Sequence, residues 1–496
     1  MEIFSFLFLT LLLPLYLYFA RQKPNQTNNK GFKHYPLIGT LPEFIKNRHR
    51  FLEWTTQVLR DCPTNTAVFS RPYSIHGVIT ANPENVQHML KTQFQNYPKG
   101  ERFIHHLQDF LGNGIFNSDG ELWKVQRKVA SYEFSTKSLR NFIVNSVTTE
   151  LHTRLLPILS KASETNRVLD LQDLLERFAF DNVCKLAFNV DPACLDGDGT
   201  AGAEFMRAFE DAAVLSSRRF MSVLPFTWKL KKLLNIGTER RLRESITTVH
   251  VFADSMIRSR LESREPTSGD EDLLSRFIRT EDTSPEFLRD VVISFILAGR
   301  DTTSSALTWF FWILSSRPHV MRNIREEIAR VRSATRGIGA FSYEELREMH
   351  YLHAAITETM RLYPPVPVDS KKCEDDDVLP DGTRIGKGWF MSYHTYAMGR
   401  MESVWGKDCT EFNPERWLEN GAFRPESPFR FPVFHAGPRT CLGKEMAYIQ
   451  MKSIAASVVE SFEIEPLDKD TCPEHVLSLT LRMKGGLAVM VRRRDT

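Results

Sequence analysis

Apolar residues recur at helical spacing through most of the chain. WTTQVLRDC, SLRNFIVNSVTTELHTRLLPILSKA, DLQDLLERFAFDNVCKLAF, TERRLRESITTVHVFADSMIRSRLESR and HVMRNIREEIARVRSA all carry them on one helical face. Strand-like pieces are few and short: AVFSR, HGVITA and LAVMVRR at the C-terminus. No repeat period or low-complexity tract interrupts the pattern. It predicts one mainly α domain with minor sheet.

Two stretches depart from amphipathic alternation. Residues 3–20 (IFSFLFLTLLLPLYLYFA) hold 18 positions without a charge, close to the minimum that spans a bilayer. Glu2 precedes them, large aromatics end them, and Arg21 and Lys23 follow, which fits an uncleaved anchor better than a signal peptide. Residues 1–21 are therefore expected to be a transmembrane anchor and 22–36 a linker. Residues 37–496 form the folded body, on the cytosolic side by the positive-inside rule. The sequon at Asn25 then lies on the wrong side for glycosylation and reads as chance.

The second stretch is DVVISFILAGRDTTSSALTWFFWILSS, from Asp290 to Ser316. Arg300 and Asp301 near its centre exclude a membrane span, so a long buried helix is expected. Gly299 weakens that helix by roughly 1 kcal/mol relative to alanine. Thr302, Thr303, Ser304 and Ser305 can bond back to preceding carbonyls and bend it. Two readings stand at this point: a core helix with capping-type polar residues, or a place where a small ligand meets proton donors.

Composition narrows the function classes. Across 496 residues, 42% are hydrophobic and 25% charged, ordinary for a globular protein with a sizeable core. A net charge of +3 gives no field that points to nucleic acid. The seven cysteines are scattered and never form C-x-x-C, which excludes a disulfide framework or zinc ribbon and fits a reducing compartment. Six of them read as small buried side chains. Cys441 stands apart, in FPVFHAGPRTCLG just before the helical KEMAYIQMKSIAASVVESF. GDGTAG, from Gly197 to Gly202, matches a dinucleotide fingerprint in letters, but NVDPACLD before it reads as a turn rather than the strand such a site needs.

A further charged pattern is structural. TETMRLYPPVP puts Glu358 and Arg361 at i and i+3 on a helix that ends at Pro364-Pro365, and FNPERW supplies Arg416. A carboxylate between two guanidinium groups locks a helix to a loop.

With A-G-R-D-T-T, E-T-M-R and F-H-A-G-P-R-T-C-L-G in that order, the chain resembles the haem-thiolate monooxygenases, cytochrome P450. The resemblance implies the mainly helical fold of that family and haem b held by Cys441 as axial thiolate. Phe434 would pack beside the porphyrin and shield the sulfur. Gly437 and Gly443 would let backbone approach the haem, and Arg439, Trp123 and Arg127 would reach its propionates. Asp301 and Thr302 match the family's acid–alcohol pair for proton delivery. Lys124, Arg127, Lys128 and Lys444 would offer a basic surface to an acidic NADPH-dependent flavoprotein reductase. For a single lysine, a solvated helix face fits equally. A monomer at the endoplasmic reticulum membrane, facing the cytosol, is the setting the resemblance implies.

VLPDGT, DSKKC, YAMGRMESVWGKDC and PVFHAGPR are similar to the plant fatty-acid ω-hydroxylases. Within that clan, ASYEFSTKSLRNF, DLLERFAFDNVCKLAFNVDPACL and HAAITETMRLYPPVPVD resemble the jasmonoyl-isoleucine hydroxylases. The implied reaction is NADPH- and O2-dependent hydroxylation of the terminal carbon, carbon 12, of jasmonoyl-isoleucine in jasmonate catabolism. The alternative is the same chemistry on free medium- or long-chain fatty acids. A haem-binding sensor or carrier without turnover is a third reading, against which the intact Asp301-Thr302 pair speaks. Terminal attack demands a shaped pocket. Its candidates are Phe103, Phe110, Phe295, Ala298, Val366 and Val368. Lys99 or Arg102 would meet the substrate carboxylate, on charge complementarity alone, and a surface role suits each as well.

Overall fold

The computed structural model describes residues 31–133, 137–196, 202–262, 273–280, 284–335 and 339–494. The expected anchor, the sequon, residues 197–201 of GDGTAG and the EPTSGDED loop lie outside them. Among the described residues no helix is long and apolar enough to cross a membrane.

The chain divides into two compact units. One takes in the described residues up to Pro98, with Val223–Pro225 and Val368–Cys409. It holds a four-stranded sheet in the order Thr66–Arg71, Ile75–Thr80, Phe390–Tyr393, Asp369–Lys372. The first pair is an antiparallel hairpin with Arg71 opposite Ile75; Phe390–Tyr393 joins it in parallel, Gly77 opposite Phe390. Helix Phe51–Asp61 belongs to the same unit, and its buried Thr55 hydroxyl lies 3.2 Å from Nδ1 of His394.

The other unit spans Lys99–Ser222, Phe226–Pro367 and Thr410–Thr496 and is mainly helical. The helices that position the site are α1 (Gly100–Leu111), α2 (Gly120–Glu133), α3 (Leu171–Phe188), α4 (Pro285–Ile296), α5 (Thr302–Ser315), α6 (His350–Leu362) and α7 (Lys444–Ser461). A three-stranded antiparallel sheet, Phe462–Pro466 with Ala488–Arg493 and Leu169–Asp170, flanks them. Asp170 starts α3 by accepting from the Gln172 and Asp173 amides, and it also accepts from Leu487 N at 3.0 Å. That one carboxylate joins helix start to sheet.

The long apolar stretch is helical, as its pattern predicts, but not regular. Ser284 caps α4, accepting from Phe287 N, and Pro285 stands in its first turn where no amide is needed. Leu297–Asp301 then forms a wide π turn before α5 resumes. Thr302 Oγ1 donates to Ala298 O at 2.7 Å and Ser304 Oγ to Arg300 O at 2.7 Å, the back-bonding expected of this alcohol run. Gly299 has a second reason to be glycine. A Cβ there would lie 2.5 Å from Cγ2 and 2.8 Å from Cβ of the buried Val183 on α3. Gly299→Ala should therefore lower stability by about 1–3 kcal/mol through overpacking, outweighing the helix-propensity gain of about 1 kcal/mol. A thermal melt of the purified variant checks this; an unchanged or raised Tm would show that Val183 yields.

One expectation about the thiols needs correction. Cys62, Cys184, Cys194, Cys373 and Cys409 are buried, but Cys472 is exposed. It stands in the polar connection DKDTCPEH, where no apolar face is present to cover it, and its sulfur is 3.5 Å from the Tyr363 hydroxyl.

Candidate active site around Cys441

Cys441 sits between a tight loop and the start of α7. The loop turns through two 3-10 segments, Pro432–Phe434 and Gly437–Arg439, and Cys441 N donates back to Phe434 O at 2.9 Å. Gly437 has φ +65°, a left-handed conformation that glycine adopts without Cβ strain. Gly443 has φ −86°, open to any residue, so its contribution differs: its backbone N–H aims at the Cys441 sulfur. Phe434 is half-buried, with its ring 5.2 Å from that of Tyr448 and the Lys444 ammonium 5.7 Å above it.

The sulfur is both accessible and desolvated. Cys441 is exposed, yet surrounding protein pushes its thiol pKa up. The Gly443 amide, Arg127 and Lys444 pull in the opposite direction. The amide, the two cations and the N-terminal end of α7 each favour sulfur as the anion, against the larger effect of burial.

The side chains expected at the haem edge come together around this loop. Arg127 on α2 donates through Nη2 to the carbonyl of Thr440. Arg439 lies over the Trp123 ring, 4.3 Å from its centroid. Its Nη2 donates to Asp119 Oδ1 at 2.7 Å and to Ser118 O at 3.0 Å, partners that motif spacing does not reveal. Lys124, Lys128 and Lys444 are exposed, with Lys124 paired to Glu121 at 2.6 Å.

Helix α5 packs on both α6 and α7. Around the wide turn, Leu297, Gly299, Arg300 and Thr303 are buried, whereas Ala298, Asp301 and Thr302 are partly accessible. This i, i+3, i+4 set is an open stripe at the wide turn. Asp301 Oδ1 accepts from Arg300 Nη1 at 2.7 Å. Burial raises its carboxyl pKa, and Arg300 works against that rise. Arg300 also donates to Glu176 at 3.2 Å, and Arg482 donates to the same carboxylate at 2.6 Å. Glu176, Glu210, Arg300, Asp301, Ser304 and Arg482 line a small polar recess. Asp301 thus sits among charged side chains rather than in apolar core.

The lock is more complete than the spacing indicated. Arg361 grips Glu358 through Nε and Nη2, both at 2.7 Å, and Arg416 Nε approaches at 3.2 Å. Trp417 Nε1 at 2.8 Å and the Asn413 amide at 2.9 Å complete the shell. Glu358 and Arg361 side chains are fully buried.

The pocket candidates separate. Arg102 and Phe103 lie part-buried on α1, Phe103 with its ring 5.6 Å from Phe220 and the Lys99 ammonium 4.2 Å from its centroid. Burial alone brings Arg102 down to about 10. Phe110 packs edge-on against Phe209 inside the helical core, and Phe295 sits in the same core near Phe277. Val366 is exposed, and Val368 falls in the sheet-bearing unit.

These residues fit a porphyrin iron: one exposed sulfur with an amide and two cations directed at it, two guanidinium groups and an indole nearby, and an accessible acid–alcohol stripe on α5. The family model described as Cytochrome P450 matches residues 30–487. Cytochrome P450 CYP94D108 of Paris polyphylla is 54% identical over 461 residues, covering 92% of this chain and 91% of that protein. Cytochrome P450 94A1 of Vicia sativa is 48% identical over 475 residues, with 94% and 91% covered. Cytochrome P450 94B1 of Arabidopsis thaliana is 48% identical over 471 residues, with 93% and 91% covered.

Proposed function

Because the chain belongs to the cytochrome P450 family, as a monooxygenase among its CYP94 members, we propose that it hydroxylates the terminal carbon of a carboxylate with an apolar tail. Jasmonoyl-isoleucine is the substrate that the sequence motifs favour. Free medium- and long-chain fatty acids are the second reading.

Haem b on Cys441, fed by electrons from NADPH through a reductase, supplies dioxygen cleavage and C–H oxidation. The protein's own groups do the rest. Gly443 N–H, Arg127 and Lys444 oppose the rise in thiol pKa that burial causes, and the iron would complete stabilisation of the thiolate. Trp123, Arg127 and Arg439 hold the propionate edge. Asp301, its carboxyl balanced between burial and Arg300, holds and releases a proton at the edge of the polar recess. Thr302 Oγ1, donating to Ala298 O, keeps lone pairs free to accept from water on the accessible stripe. The exposed Lys128 and Lys444 suit the docking of an acidic reductase, and the N-terminal segment suits the endoplasmic reticulum membrane with the enzyme facing the cytosol.

The observation that carries the acid preference is Arg102, a guanidinium desolvated on α1 beside Phe103. A substrate carboxylate reaching this part of α1 would add a charge-assisted hydrogen bond to that guanidinium. Arg102→Ala should lower kcat/KM for the free acid by about 10–100-fold and leave the methyl ester nearly unchanged. Equal losses on both would remove the assignment. Membranes holding the enzyme and reductase, given NADPH and each acid in turn, separate the two substrate readings. NADPH consumption that no candidate acid stimulates would instead favour a haem carrier.

A further inference from the structure

Asp119 occupies the joint between α1 and α2, immediately before Gly120. Its carboxylate faces two ways. Oδ1 accepts from Arg439 at 2.7 Å and from Lys99 N at 3.0 Å, while Oδ2 accepts from Gly100 N at 3.0 Å. One group therefore binds the haem-edge arginine and the first amides of α1. Asn117 secures the same joint, its Nδ2 donating to Ile104 O and Gly112 O at 3.1 and 2.8 Å.

Arg439 reaches this joint through Nη2, one of three nitrogens on a guanidinium with five donors. Its plane is held over Trp123. The Arg439 side chain is 8% exposed and that of Asp119 24%, so the pair is little screened by solvent. Helix α1 carries Arg102 and Phe103, the side chains assigned to the substrate. Lys99 φ −58° and Gly100 φ +78° show that the chain turns sharply into α1 at the two amides Asp119 holds.

We propose that Asp119 is a positioning residue that joins the haem edge to the substrate-side helix. It orients Arg439 toward a propionate and anchors the start of α1 with the same carboxylate. Retention of haem and order in α1 are then one coupled equilibrium. This takes the family's haem as its premise and does not depend on which acid is oxidised.

The test uses the full-length holoenzyme and two readouts other than turnover. One is the rate of haem transfer to an excess of apomyoglobin. The other is hydrogen exchange of the Gly100–Leu111 amides. Asp119→Asn keeps one acceptor oxygen and removes the charge. It should speed haem release by about tenfold and exchange in α1 by a similar factor, the equivalent of one charge-assisted hydrogen bond. Arg439→Lys, by loosening Asp119, should also speed exchange in α1, and the double variant should add little to either single one. If Asp119→Asn loosens α1 without changing haem release, Asp119 is only a cap and the proposal fails. If haem release rises while α1 exchange stays at the wild-type rate, the coupling does not exist. Should Asp119→Asn not accumulate as holoenzyme, Asp119→Glu retains the charge at altered reach. Smaller changes of the same sign in both readouts would then support the link, and a change in only one would overturn it.

Discussion

Serine in place of Cys441 should abolish oxygenation and remove the thiolate-type Soret band from the reduced, carbon-monoxide-treated spectrum. The substitution changes one atom and little volume, so the fold has no reason to fail. What it removes is an anion. A serine hydroxyl will not ionise in a recess where even a thiol is pushed up by burial and depends on the Gly443 amide, Arg127 and Lys444 for compensation. A thiolate donates electron density that favours O–O cleavage, and a neutral hydroxyl does not. Purified Cys441→Ser that kept its product-forming rate, or kept the thiolate spectrum, would refute the ligand assignment and the function built on it.

The second large effect is structural. Glu358→Ala should cost about 3–5 kcal/mol, because it strands the buried charge of Arg361 and leaves the Trp417 indole N–H and Asn413 amide without their acceptor. Against a total stability of about 5–15 kcal/mol for a typical domain, that is enough to prevent holoenzyme from accumulating. Glu358→Gln keeps the shape but turns an NH2 group toward a guanidinium, so it should fail nearly as badly. The measurement is yield of haem-loaded protein with the thiolate spectrum, compared with Arg416→Ala. Arg416 approaches at 3.2 Å and is 11% exposed, so its loss should be milder. Full yield from Glu358→Ala would show that the lock is dispensable.

How much of this was legible in the sequence depended on how local the signal is. The helix and strand periods of 171–188, 318–335, 66–71 and 75–80 are short-range, and each appears in the structure where its pattern placed it. Cys441 and the Glu358–Arg361 pair were readable because composition and spacing within a dozen residues carry them. Asp119 was not. Its partner Arg439 stands 320 positions away, and nothing around either residue names the other. Trp417 and Asn413 stand in the same loop as Arg416, but an indole N–H and a backbone amide carry no charge to mark them as partners of a carboxylate. Short strands such as Asp369–Lys372 lack a clear alternating pattern and are set by the neighbours they pair with. Gly299 was read as a weak point in a helix; its contact with Val183 needed α3 in place.

The wide turn at Leu297–Asp301 also has a consequence for angular phase. Each residue of a regular helix advances the side-chain direction by roughly 100°, so one additional residue in a turn rotates everything after it by about that angle. In an unbroken helix Phe295 would share a stripe with Ala298 and Thr302. Here Phe295 points into the aromatic core, while Ala298, Asp301 and Thr302 look outward together. A single local widening thus lets one rod serve two surroundings, apolar on its leading half and polar at its midpoint, without a break in the backbone.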